Sequence, residues 1–178
     1  MDVLKFTNAI DRLSDAFGFV AKWLVMFACL ISAGNATIRY LFHYSSNGWL
    51  EIQWYMFAGI VFFGASQTLR LNEHVRVDLL YGAISERART WIDLLGGLFF
   101  LMPLCIMLIY FTWPWFVQAW VQNVTSNAAG GLPRWPVRLM LPLGFGVLML
   151  QGIAEIIKCI LALTTNYHRE FAYEKPIQ

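Results

Sequence analysis

The chain has 178 residues, of which 58% are hydrophobic and only 13% charged, and its net charge is +2. Soluble domains carry about 25% charged residues, so this composition excludes an ordinary soluble globule. The few basic residues are dispersed along the chain and not gathered into a patch, which excludes a nucleic-acid surface.

A membrane-crossing helix needs about 20 mostly apolar residues. Four stretches qualify, at about 18–41, 49–68, 88–117 and 135–163. They fill most of the chain and predict an all-α integral membrane protein, a single four-span domain over 1–178 with residues 164–178 as a cytoplasmic tail. Before the first span, Phe6, Ile10, Leu13, Phe17 and Val20 recur at helical spacing between Asp2, Lys5, Asp11, Arg12 and Asp15. That pattern predicts an amphipathic helix, either lying in the inner interface or extending span 1. The same acidic and basic mixture is unlike a secretory leader.

Span 1 carries Ala28, Ser32 and Ala36 at four-residue spacing, with Cys29, Ala33 and Thr37 beside them. Small residues let helix backbones approach closely, so this strip is expected to be the most tightly packed face of the helix. Span 2 opens on Glu51 and closes at Arg70, where a cation offsets the negative end of the helix dipole. The charged connector Arg70–Leu80 has Val75, Leu79 and Gly82 at helical spacing, which predicts a short interfacial helix between spans 2 and 3. Ser85 is placed to cap span 3, with Glu86 in its first turn.

Span 3 and its extension cover residues 88–120, about 50 Å as a helix against an apolar core of about 30 Å. It must tilt, project from the membrane, or break at Pro114. Residues 122–131, rich in Asn, Ser, Ala and Gly, read as a flexible outer loop. Span 4 begins near Pro136 and has Pro142 inside it.

With both ends cytoplasmic, ten of the 13 Lys and Arg residues fall on the inner side and only Arg39, Arg134 and Arg138 on the outer. That bias sets orientation. Trp49, Trp54, Trp113, Trp115, Trp120 and Trp135 collect at the proposed outer boundary, and Trp23 and Trp91 at the inner one.

Ionisable groups inside a bilayer each cost about 2.5–3.5 kcal/mol on insertion scales, so each needs a reason. Glu155 is the deepest carboxylate, one turn after Gln151. A proton or cation site is one reading of it, and a packing role beside Lys158 is the favoured one. Asp93 is within reach of Arg89 and Arg76 for an ion pair at the cytoplasmic edge. His43, His74 and His168 lie in connectors or tails, so a bis-histidine haem site is not expected. Cys29, Cys105 and Cys159 show no disulfide or metal spacing. No catalytic set and no phosphate loop is present, and neither an enzyme nor a cofactor is expected. An autonomous small multidrug transporter has an acidic residue in its first span, and this span 1 has none.

The chain resembles the small membrane subunit (DctQ type) of a tripartite ATP-independent periplasmic, or TRAP, transporter. Glu51 and the following Ile-Gln-Trp-Tyr55, Gly64, Arg70, the block Asn72-Glu-His74-Val-Arg76-Val-Asp78, Arg87, Asp93, Pro142-Leu-Gly-Phe145 and Gln151 carry the resemblance. The resemblance implies a three-part importer of the bacterial inner membrane. In it a periplasmic binding protein delivers an organic acid to a large multi-span permease, which moves it inward on the sodium gradient. The small subunit would brace that permease, among membrane lipids and with transient contact to the binding protein. Structural or partner-contact roles are expected for Glu51, Arg70, His74, Arg76, Asp78, Arg87, Asp93, Gln151 and Glu155, several of them as a charge network at the cytoplasmic corner. The alternatives are an autonomous four-span homo-oligomeric transporter and an assembly protein of an unrelated membrane complex.

Overall fold

The computed structural model describes residues 2–44, 46–73, 84–128 and 130–165. The predicted interfacial helix between spans 2 and 3 and the C-terminal tail lie outside them, as do His74, Arg76 and Asp78. The described residues form five helices and no strand beyond one isolated bridge, Thr125 with Pro133. Helix α1 is Asp2–Phe42, α2 Asn47–Arg70, α3 Glu86–Gly96, α4 Met102–Val121 and α5 Trp135–Thr164. A π-helical turn, Gly97–Leu101, joins α3 to α4 without a break.

Helices that follow one another in the chain alternate in direction, with α3 and α4 running as one. Gly18 faces Gln67 and Gly59 faces Leu24, so α2 runs back along α1. Gly59 also lies near Met140, and Gly144 sits on Phe62, so α5 runs parallel to α2. Gly152 meets Met102 and Trp120 meets Trp135, which makes α4 antiparallel to α5. Helix α5 packs on every other element and is the centre of the bundle. Small residues make that possible: Gly144, Gly152, Ala154 and Cys159 are all buried.

Local chemistry explains the helix ends. Ser85 Oγ accepts a hydrogen bond from the Ala88 amide at 3.3 Å and so caps α3. Asn72 and Asn123 take left-handed φ values of 60° and 47° just past α2 and α4. The amides that follow then reach back, Glu73 to the Thr68 carbonyl and Val124 to the Ala119 carbonyl, each at 3.1 Å.

The helices decide between some of the alternatives left open by the sequence and correct the small-residue strip of span 1. The amphipathic N-terminal segment is the first part of a single 41-residue α1, about 60 Å long. The face it buries is mostly polar and small (Thr7, Asp11, Ser14, Gly18, Ala21) with Ile10 among them, while Phe6, Leu13 and Val20 point outward. Lipid tails are as apolar as leucine, so in a membrane the polar stripe is the one that gains by turning inward. The small-residue strip of span 1 is not the packed face: Ala28 is buried, but Cys29, Ser32, Ala33, Ala36 and Thr37 are exposed, because α1 stands clear of the bundle there. Helix α4 passes through Pro114 unbroken, and the irregularity falls at Gly97–Leu101 instead, where Gly97 lies against Ile156. Three helices are long and apolar enough to cross a membrane: Val3–Phe42, Glu86–Val121 and Trp135–Thr164. The expected span 2 forms the 24-residue α2, with Glu51 and Gln53 in its first turns.

At Gly144 a methyl group would come within 2.8 Å of the Phe62 carbonyl, whereas at Gly146 it would meet nothing within 4 Å. Gly144→Val should therefore push α2 off α5 and cost about 1–3 kcal/mol, the usual penalty of overpacking. Gly146→Ala should leave the thermal unfolding midpoint in detergent unchanged, and an equal loss in both variants would refute this account of the α2–α5 contact.

Candidate functional site

The densest polar chemistry lies where α1, α2 and α5 meet, at the end of the bundle opposite most of the tryptophans. Helix α5 supplies Gln151, Glu155 and Lys158, at i, i+4 and i+7, so all three share one face. Helix α1 supplies Asp11, Ser14 and Asp15 on its buried stripe, and α2 supplies Gln67 and Arg70 from its last turn.

Gln151, wholly buried, is the hub. Its Oε1 accepts from Ser14 Oγ at 2.7 Å, and its Nε2 donates to Asp11 Oδ1 at 2.9 Å and to Glu155 Oε1 at 3.1 Å. Lys158 Nζ donates to the same two carboxylates, at 2.8 Å to Asp11 and 2.9 Å to Glu155. Arg70 binds Asp15 through Nη1, and its Nε stands 3.7 Å from Asp11. Gln67 Nε2 reaches Asp15 at 3.5 Å. Three carboxylates thus face two cations, and each charge has an opposite charge beside it.

Burial grades these contacts. The side chains of Asp11, Lys158, Glu155 and Arg70 are 10–16% exposed, whereas Asp15 is 43% exposed. Removing one partner of a buried pair strands the other charge and costs about 3–5 kcal/mol. An exposed pair contributes about 0–1 kcal/mol. The Lys158–Asp11 pair therefore holds α1 to α5, and the Asp15–Arg70 pair trims the edge.

A second polar junction closes the opposite end. The Glu51 carboxylate accepts from the Ser126 hydroxyl and, at 2.8 Å, from the Leu132 amide. Tyr55 donates to the Pro133 carbonyl at 3.0 Å. The loop itself is a narrow hairpin, with the Ser126 amide on the Leu132 carbonyl at 3.0 Å and the Arg134 amide on the Val124 carbonyl at 2.8 Å. The loop is therefore tied to α2 through Ser126, Leu132 and Pro133. Arg138 lies over the Trp115 ring, 4.3 Å from its centre, and donates to the Trp115 carbonyl at 3.3 Å.

The residues singled out from sequence thus divide between two places. Arg70, Gln151 and Glu155 meet at the charged junction, and Glu51 anchors the far hairpin. Arg87 is exposed in the first turn of α3 and Asp93 half-buried in the same helix. Arg70 was expected to join a network within its own connector. That connector lies outside the described residues, and within them Arg70 pairs with Asp11 and Asp15, 59 and 55 positions earlier in the chain. Sequence reasoning did not select Asp11, Ser14 or Asp15. The available signal was the stripe Thr7, Asp11, Ser14, Gly18, Ala21, small or polar at alternating four- and three-residue steps. Among the described residues no group of three His, Cys, Asp or Glu is arranged to hold a metal ion.

An all-helical bundle with three long apolar helices, bound by polar clasps at its two ends, defines a multi-pass membrane protein. Residues 28–162, most of the chain, match the family described as tripartite ATP-independent periplasmic transporters, DctQ component. The chain belongs to that family and is a small membrane subunit of a TRAP transporter. Family membership implies association with a large permease and a substrate-binding protein. No curated protein matches it significantly. The matched region includes Arg70, Gln151, Glu155 and Lys158 but begins after Asp11, Ser14 and Asp15.

Two outcomes test the grading of the junctions. Lys158→Met, which removes the cation that Asp11 and Glu155 share, should cost about 3–5 kcal/mol, whereas Asp15→Asn should cost under about 1 kcal/mol. Equal unfolding midpoints for the two variants would contradict the burial argument. At the other end, Glu51→Ala removes the acceptor of the Leu132 amide, a loss on the order of 1 kcal/mol. Hydrogen exchange at that amide should quicken several-fold with α5 protection unchanged.

Proposed function

We propose that the chain is the scaffold subunit of a binding-protein-dependent importer of organic acids. In this reading it braces a large elevator-type permease driven by an ion gradient, with sodium as the coupling ion. The observation that carries it is the charged junction of α1, α2 and α5. Its carboxylates are engaged by Lys158, Arg70, Gln151 and Gln67, so the cluster is built to lock three helices together and not to take up and release a substrate or cation. A fixed block of helices is what a moving transport domain needs to work against.

The same reading makes α2 the fourth crossing. Asp11 touches Lys158 near the end of α5, and Gly97, just past α3, faces Ile156 on the same helix. The chain must therefore return between Phe42 and Glu86 to the end where it began, and α2, running antiparallel to α1, is the element able to do so. The charged end, which gathers Lys5, Arg12, Arg70, Arg87 and Lys158, would face the cytoplasm, and so would both termini. The hairpin 122–134 and the tryptophan-rich end would then face the periplasm, where the binding protein docks. Arg87, Asp93 and the connector residues His74, Arg76 and Asp78 are proposed as contacts at the cytoplasmic corner.

Arg70→Ala frees one side of the junction. Recovery of the permease with this subunit and substrate uptake into proteoliposomes should fall together, several-fold, while capture of substrate by the isolated binding protein is unchanged. Full uptake with an intact complex would exclude the bracing role of this junction.

A further inference from the structure

Between α1 and α2 runs an open groove of about 440 Å³. Its floor is small: Gly18, Ala21, Gly64 and Ala65. A methyl group added at Gly64 would meet only the Ala21 Cβ, at 3.9 Å, so the α1–α2 contact is loose at this glycine. One wall carries Lys22, which is exposed and has no hydrogen bond or ion pair with any described residue.

The depth of Lys22 makes it unusual. Along α5, Trp135 and Lys158 are 23 residues apart, about 35 Å of helix, close to the roughly 30 Å of a hydrocarbon core. The aromatic end and the charged junction therefore bracket the membrane. Lys22 is seven residues from Asp15 toward the aromatic end, which puts its backbone about 10 Å inside that boundary. The neighbouring Trp23, expected at the inner boundary, lies at the same depth. An intramembrane lysine is costly in contact with lipid tails and normally faces a partner that carries the opposite charge. A floor of glycine and alanine is, independently, the surface on which another helix packs closely.

We propose that this groove seats a transmembrane helix of the large permease, carrying an acidic side chain opposite Lys22. The inference rests on the scaffold reading above and assigns its contact face. The helix backbone lies on Gly64 and Ala65, and Val25, Ile60 and Val61 line its sides. Lys22 fixes its register, because the charge pair forms at one axial position only.

The test uses the complex expressed from its native membrane, with a photoreactive phenylalanine analogue in place of Val61 in one preparation and Lys22→Gln or Lys22→Arg in others. Expected results are a crosslink from position 61 to the permease, a several-fold loss of permease with Lys22→Gln, and near-normal recovery with Lys22→Arg. Because Lys22 bonds no described residue, the unfolding midpoint of the isolated subunit should stay fixed. Adducts only with phospholipid would make the groove a lipid site, and adducts with a second copy of this chain would make it a homo-oligomer contact. Either result overturns the proposal, as does unchanged recovery with Lys22→Gln. Permease retained by the unsubstituted subunit without a crosslink at position 61 would sink the groove but keep the scaffold reading. If the unsubstituted subunit retains no permease, both fail.

Discussion

The fold depends on the hydrogen bonds and ion pairs that converge on Gln151 and Lys158. Helix α5 touches every other element, and these two side chains bind it to α1, the element farthest from it in sequence. Apolar packing between membrane helices gains little over packing against lipid. A polar cluster behaves differently, since each of its members would be costly if turned toward hydrocarbon. Directional, satisfied contacts of this kind therefore decide which helix faces meet. The Gln151 amide suits the role because it donates and accepts at once, linking a hydroxyl to two carboxylates.

Glycine and alanine supply the close approach that such short bonds require. Gly18 lets the Gln67 side chain lie against α1, Gly144 admits the Phe62 backbone, and Gly152 admits Met102. Aromatic contacts fill the layers between, with Phe17 on Phe63 and Phe62 on Phe145 at ring-centre distances of 5.1 and 5.4 Å. The far end is closed differently. There the Glu51 carboxylate holds a hairpin by its Leu132 amide, and rings such as Trp120 and Trp135 stack edge to face at 4.6 Å. The two closures, one ionic and one through backbone and aromatic contacts, leave α1 uncovered over its last turns and leave the groove beside Lys22 open. In the scaffold reading proposed above both properties have a use, internal rigidity and an unfilled outer face.

Parts of this were legible in the sequence and parts were not, for identifiable reasons. The long apolar helices and the Ser85 cap follow from composition within a few turns of chain. Arg70, Gln151 and Glu155 stood out because polar groups near or inside apolar spans demand partners. The identity of those partners did not follow. Ser14 and Gln151 are 137 residues apart and Asp11 and Lys158 are 147 apart, and no local pattern pairs them. The N-terminal segment was legible as amphipathic, but which of its stripes packs was not, because the rule that apolar faces turn inward holds for helices in water. Span 1 misled in a related way: Ser32, Ala33 and Ala36 have the composition of a packed face, but the helix bearing them stands away from its own bundle.

By itself the sequence determined that this chain would be a set of apolar helices with charged connectors, and its residues carry the DctQ resemblance. Backbone hydrogen bonding in lipid is satisfied within each helix, so local composition suffices to place a spanning segment. Only the tertiary structure decided which stripe of each helix turns inward, that α5 is the centre, and that Arg70 reaches back to Asp11 and Asp15. Those outcomes depend on side chains brought together from opposite ends of the chain, where the competition between lipid contact and polar pairing is resolved.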